Sequence, residues 1–263
     1  MGALLPASLA PDLERRFGGL RRLYGEVGYA RLRAARVAVV GLGGVGSWAV
    51  EALARSGVAE LTLIDLDHIA ESNINRQVQA LGATLGQSKA RALAERVADI
   101  HPDCVVHRVE DFVTADNWPA LLPAPVDAVI DACDQVRAKQ ALAAWALRER
   151  GIAFVSVGAA GGKQLAQCVA IDDLAATTHD PLLASLRQRL RKLAVAPRTG
   201  AIGVRCVFSR ESVQAPALAC DADDEGAIDG SLNCNGYGSS VTVTATFGLV
   251  AAGEVIQQLV KTR

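Results

Sequence analysis

The 263-residue sequence predicts an α/β fold of Rossmann-like type, a mainly parallel sheet with helices on both faces and an antiparallel extension in its second half. Three observations carry that expectation. Short β-branched runs alternate with helix-patterned stretches as far as Gly158. A glycine turn, Gly41-Leu42-Gly43-Gly44-Val45-Gly46, follows the first run. Asp65 closes the second run, 19 residues after Gly46.

RVAVV (36–40), ELTLID (60–65), CVVHRV (104–109) and VDAVIDAC (126–133) are the first four strands, and GIAFVSVG (151–158) is a further central one. SKARALAERVADI (88–100) carries apolar residues at helical spacing. After Gly158 the rhythm changes: AAGGK is a turn, and AQCVAID (166–172) begins the antiparallel extension. The next helix is well signalled, with Asp180 as N-cap and Pro181 at its first position. Its Leu182, Leu183, Leu186, Leu190 and Leu193 fall on one arc, while Arg187, Arg189, Arg191 and Lys192 occupy the rest. Residues 195–238 are loop-rich around the strand GVRCVFS (203–209) and the acidic run DADDEG (221–226). The continuous rhythm implies one domain over 1–263, with a nucleotide-binding part over about 30–158 and an elaboration over about 159–263.

Bulk properties narrow the function. A net charge of −1 gives no global attraction to nucleic acid, so any such partner needs a local basic patch. The six cysteines include no C-x-x-C pair, which argues against a paired-cysteine zinc site and fits buried thiols in a reduced cytoplasm. The start lacks a basic segment followed by a long apolar stretch, so no signal peptide is expected. VTVTATFGLVAAGEVIQQLV (241–260) is apolar, but Glu254, Gln257 and Gln258 interrupt it, so a packed helix is expected rather than an integral membrane span.

A glycine turn ahead of a helix lets backbone amides approach phosphate oxygens, and an acid at the position of Asp65 receives ribose hydroxyls. That much fits NAD as well as ATP. The extra glycine, Gly44, and the nearby Trp48 do not decide between them. The next segment does: Asn73, Arg76 and Lys89, beside Asp65 and Asp67, supply donors and cations suited to a triphosphate and to charge developing at its α-phosphorus. Asp131 and Asp134 form a second carboxylate set after the fourth strand. An acid there is placed to hold Mg²⁺, or, for Asp134, to cap the helix starting near Gln135.

GLGGVGS, DLDHIAESNINRQ, GQSKA and DACDQ together resemble the ubiquitin-activating-enzyme-like superfamily of ThiF, MoeB and HesA, whose members adenylate a carboxylate with MgATP. The resemblance implies a ThiF/MoeB-type fold and assigns roles. Gly41, Gly43, Gly44 and Gly46 would cradle phosphate; Asp65, with Asp67 beside it, would bind the ribose. Asn73, Arg76 and Lys89 would contact phosphates, and Asp134 would assist the metal. An N-terminal arginine would reach the neighbouring subunit of a homodimer, with Arg22 the best match and Arg21 and Arg16 as alternatives.

RFGGLRRLYGEVG, DFVTADN, DPLLASLRQRLRK, VRCVFSRE and VTVTATFG narrow the resemblance to the branch that dehydrates threonylcarbamoyladenosine beside the anticodon of tRNA, over about residues 16–252. This implies a cytoplasmic tRNA enzyme with ATP and Mg²⁺, a monovalent cation (Na⁺ or K⁺), and a cysteine desulfurase or sulfur-acceptor system as a further partner. Cys234, in SLNCNGYGSSV, is then either a reactive thiol or a structural residue that helps arrange carbonyls around a cation. Arg187, Arg189, Arg191 and Lys192, with Arg198 following, are either a solvated helix face or the tRNA patch. Rival functions are activation of a sulfur-carrier or ubiquitin-like protein, an NAD-dependent dehydrogenase, and a non-catalytic nucleotide-regulated binding protein.

Overall fold

The computed structural model describes residues 11–149, 151–214 and 237–261; Cys220, Cys234 and the acidic run lie outside the described residues. Among the described residues the strands are β1 (Arg36–Val40), β2 (Glu60–Ile64), β3 (Val105–Val109), β4 (Ala128–Asp131), β5 (Ala153–Val157), β6 (Val169–Asp173) and β7 (Arg205–Ser209). They form one sheet in the order β3-β2-β1-β4-β5-β7-β6. Every neighbouring pair is parallel except β6 with β7, the antiparallel extension that the sequence implies. β4 and β5 are shorter than their apolar runs.

The helices are α1 (Leu13–Phe17), α2 (Gly19–Ala34), α3 (Gly46–Arg55), α4 (Lys89–Ile100), α5 (Val136–Ala146), α6 (Pro181–Lys192) and α7 (Val241–Lys261). On one face of the sheet, Val37, Val39 and Leu61 pack with Leu53 of α3, Leu93 of α4 and Phe247 of α7. On the other, Ala38, Val40 and Val129 pack with Leu142 and Trp145 of α5 and Leu183 and Leu186 of α6. Burial on both faces is why these strands read as unbroken apolar runs instead of alternating ones.

α7 is long and apolar enough to cross a membrane by length and composition alone. Here Val243, Phe247, Ala251, Val255 and Leu259, spaced one helical turn apart, are buried in the core. α6 begins as the sequence implies: the Asp180 side chain accepts from the Leu183 amide and Pro181 is the first helical residue. Its apolar arc is shorter than expected, because the helix ends at Lys192 and Leu193, the C-cap residue, is 52% exposed.

From β1 the chain builds outward through β2 to β3, then returns to lay β4 and β5 on the other side of β1. Such a reversal opens a crevice at the carboxyl ends of the strands. The register brings Val40, Ile64 and Asp131 side by side at that edge, so the residues immediately after them face one space.

Candidate nucleotide-binding site

The space at the strand ends is a cavity of about 360 Å³, walled by the glycine turn, the segment after β2, the start of α4, the β4–α5 turn and the loop after β5. Gly41 leaves β1 with φ +84°, its amide donating to the Ile64 carbonyl at 2.9 Å. A Cβ on Gly46 would lie 1.8 Å from the Gly41 carbonyl oxygen, so only glycine closes this turn. Gly41, Gly43, Gly44 and Val45 wall the cavity, whereas Gly46 is not among its lining residues and serves the turn's packing. Val45, the N-cap residue of α3, provides no side-chain acceptor. The Ser47 amide of α3 donates back to the Gly43 carbonyl and the Ala49 amide to that of Val45, both at 3.1 Å, so an anion at this helix start would draw on the remaining amides of the turn.

Asp65 is tied to that turn. One carboxylate oxygen accepts the Leu42 amide at 2.6 Å and the other the Asp67 amide at 2.8 Å. Burial pushes its carboxyl above the ordinary carboxylate range, against the opposing pull of the Lys89 charge and the two amides. The remaining lone pairs suit ribose hydroxyls. Lys89, the first residue of α4, is buried, and its ammonium meets the Asp67 carboxylate at 2.6 Å. Asp67, Lys89 and Asp65 all line the cavity.

Asn73 and Arg76 stand on the opposite wall. The Asn73 side-chain oxygen accepts the Ala70 amide at 3.1 Å, leaving its NH₂ for the cavity. Arg76 donates to the Ser72 carbonyl at 2.7 Å and to Asn75 Oδ1 at 3.0 Å. Gly44 and Trp48 now acquire a reason. The aliphatic stem of Arg76 lies 3.2 Å from where a Cβ on Gly44 would be, and Trp48 Nε1 donates to the Arg76 carbonyl at 3.0 Å. Both residues seat Arg76.

Asp134 lines the cavity, and the N-cap residue of α5 is Gln135. Asp131 departs from the expectation of an acid placed to hold Mg²⁺. It is fully buried, its carboxylate held by the Lys139 ammonium at 3.0 Å and the Ser156 hydroxyl at 2.7 Å. Burial alone would lower the Lys139 pKa, but the Asp131 charge outweighs it and raises it. Asp131 thus braces the floor, and Asp134 alone of that pair faces the cavity. Cys133 also lines the cavity, its thiol donating to Asp131 at 3.0 Å. Burial and the neighbouring Asp131 charge push that thiol well above its ordinary range, which favours the protonated thiol. Among the described residues no cluster of three or more His, Cys, Asp or Glu side chains is arranged to hold a metal.

Further wall residues escaped the sequence reading. Gln77, Asp111, Phe112 and Gly158 lie within or just after segments whose strand-end position could have pointed to them. Tyr237, Ser239 and Thr244 arrive from the far end of the chain, with no local signal.

The three N-terminal arginines do not line this cavity. Arg16 donates to the carbonyls of Asp99 and Ile100, and Arg21 pairs with Glu14 and sits over the Tyr29 ring, while Arg22 is exposed. On α6, Arg187, Arg191 and Lys192 share a groove with Arg198. Arg189 is off that groove, its nearest polar partner being Gln140 of α5 at 3.5 Å.

A model of the ThiF family matches residues 16–263. The chain is 42% identical over 255 residues to the tRNA threonylcarbamoyladenosine dehydratase of Haemophilus influenzae, covering 95% of each. It is also similar to crystal structures of the Escherichia coli tRNA N6-threonylcarbamoyladenosine dehydratase, TcdA. With the complex containing ATP it shares 41% identity and a TM-score of 0.83, over 95% of this chain and 96% of that one. With the AMP complex the values are 41% and 0.84, over 96% and 97%.

Proposed function

The chain belongs to the ThiF family, and we propose that it is an ATP-dependent tRNA threonylcarbamoyladenosine dehydratase that works by adenylating the threonine carboxylate of its substrate. One observation carries the reading. A single cavity gathers the glycine turn, a buried ribose-type acid, two cationic side chains and the Asp134 side chain.

A carboxylate is a poor electrophile because its leaving group would be oxide. One of its oxygens attacks the α-phosphorus of ATP, the bond to the β-phosphate oxygen breaks, and pyrophosphate departs. The product is a mixed anhydride. A nitrogen or oxygen of the same modification then attacks the acyl carbon and AMP leaves, so the net change in the nucleoside is loss of one water. The nucleophile is tethered, which favours closure. Arg76 and Lys89 offset charge on the phosphates, and Asp65 fixes the ribose. Asp134 would hold Mg²⁺ together with phosphate oxygens of the nucleotide, and the ion would supply charge screening along the polyphosphate. Intramolecular closure requires no enzyme thioester, in keeping with the suppressed acidity of Cys133.

We also infer a homodimer, in which exposed Arg22 reaches the partner's cavity. α2, kinked at Gly25, supports this by exposing Leu23 and Val27 on either side of the kink, 69% and 64% accessible. The four described cysteines are unpaired thiols, which suits the reducing cytoplasm where tRNA is modified.

The test is mass spectrometry of nucleosides from threonylcarbamoyladenosine-bearing tRNA after incubation with the protein and ATP. Loss of one water with equimolar AMP is expected. An unchanged nucleoside, or AMP released only with a carrier protein present, would overturn the reading.

A further inference from the structure

The nucleotide cavity does not stand alone on α6. Leu182, in the first turn, lines the cavity; a second concavity, over His179, Pro181, Ala184 and Arg187, adjoins the same turn. A third, over Arg187, Gln188, Arg191, Lys192 and Arg198, shares Ala184 and Arg187 with the second. Ala184, Arg187, Gln188, Arg191 and Lys192 are spaced i, i+3, i+4, i+7, i+8, a single stripe along one helix face. With a rise of ~1.5 Å per residue, the stripe carries its cations about 14 Å along the axis from Leu182 to Arg191.

We propose that this stripe is a track for the single-stranded RNA that flanks the reacting nucleoside, with Arg187, Arg191, Lys192 and Arg198 holding its phosphodiesters. This rests on the dehydratase reading above, and it names the part of the substrate that the second half of the chain receives. The net charge of −1 makes four cations in one groove a local feature and not a general excess. Two of them are pre-set. Arg187 donates through Nη1 to the carbonyls of Leu174 and Thr177, and Arg191 donates through Nε to the Pro197 carbonyl, so both heads are held in place with donors to spare. Among the described residues no carboxylate lines this groove.

The upper end of the track is equally fixed. His179 holds φ +56°, a conformation a non-glycine residue keeps only when its surroundings impose it. The buried Lys163 ammonium anchors this segment, bonded to the His179 and Glu211 carbonyls at 2.8 and 2.5 Å. An exposed imidazole on a rigid rim, between the cavity and the cationic groove, offers a face on which an unstacked base can rest.

The experiment measures binding of a threonylcarbamoyladenosine-bearing anticodon stem-loop RNA by fluorescence anisotropy across a salt series, with Arg191→Ala/Arg198→Ala, Gln188→Glu and Arg191→Lys/Arg198→Lys variants. The alanine pair is expected to weaken binding at least tenfold at low salt. It should also flatten the slope of log K against log salt by about 1.4, at ~0.7 per single-strand phosphate contact. Gln188→Glu should weaken binding without removing a cation, and the lysine pair should keep the wild-type slope. ATP affinity and the thermal midpoint should not move. Wild-type affinity and slope in the alanine pair would overturn the track, as would equal weakening of ATP binding. The outcomes separate from those of the function itself. A wild-type protein that binds the stem-loop but removes no water refutes the dehydratase reading, whereas one that removes water while the variants bind normally refutes only the track.

Discussion

Gly44 and Trp48 look like decoration on a glycine turn until Arg76 is seen between them. A Cβ at Gly44 would press on the Arg76 stem, and the Trp48 indole N–H holds the Arg76 carbonyl at 3.0 Å. Trp48→Phe keeps an aromatic ring but removes that hydrogen bond together with the pyrrole half of the indole. Its turnover should fall by about fivefold, the equivalent of about 1 kcal/mol, with the thermal midpoint shifting by no more than a few degrees. Arg76→Ala and Lys89→Ala remove charge stabilisation itself and should each lower turnover by about 10²-fold or more while the protein stays folded, read by AMP release and circular dichroism. Asp131 acts differently. Asp131→Ala strands the fully buried Lys139 ammonium and should cost about 3–5 kcal/mol in urea unfolding, whereas Asp131→Leu with Lys139→Met removes both charges and should recover much of that loss. Sequence could place Asp131 at the strand end but not say which way it faced, because Asp131 and Asp134 are both compatible with a crevice. The sheet register decides, setting Asp131 directly opposite Ser156 inside the layer.

The parallel strands, the caps of α6 and the buried face of α7 were all legible, since each rests on local pattern: apolar runs, Asp-Pro at a helix start, one buried residue per turn. What local pattern could not show is how α1 is held. Phe17 packs against His101 with ring centroids 4.8 Å apart, and Arg33 lies over Phe17 while its guanidinium meets His101 Nε2 at 2.7 Å. These residues are 84 positions apart in the chain, and no spacing rule joins them. Arg33 has only donors, so His101 must accept at Nε2 and carry its proton on Nδ1, neutral. Burial and the Arg33 charge accordingly hold the His101 pKa below its ordinary 6.5, with Arg16 adding to the effect and Asp103 opposing it. A histidine depressed in the folded state contributes stability that is complete above its unfolded value and is lost as pH falls through the folded one. Unfolding free energy should therefore decline below about pH 6.5, with tryptic cleavage at Arg15 and Arg16 accelerating as α1 loosens. His101→Gln should remove the part of that decline assigned to this group, and an identical pH profile in the variant would refute the assignment.

At the scale of the molecule, the cavity is built by a sheet that spans both halves of the chain, with β5 carrying the loop at Gly158 and α7 closing the far wall through Thr244. The wall is rich in acceptors and amides, but its cations among the described residues are Lys89 and Arg76, and Lys89 already shares its charge with Asp67. Even with Mg²⁺ held at Asp134, one further cation would help offset the charge of departing pyrophosphate, and α2 holds Arg22 outward, with Leu23 and Val27 also exposed, instead of toward its own cavity. A second copy docked on α2 would supply the missing cation and cover the apolar pair. The two possibilities, an arginine acting across an interface and one acting nowhere, separate cleanly by mixing. Arg22→Ala and Lys89→Ala proteins should each be nearly inactive. Combined and allowed to exchange subunits, they should regain about a quarter of wild-type activity, because half the dimers are mixed and half of their sites are then intact. No recovery, despite exchange verified by mass, would mean that Arg22 does not complete the partner's site.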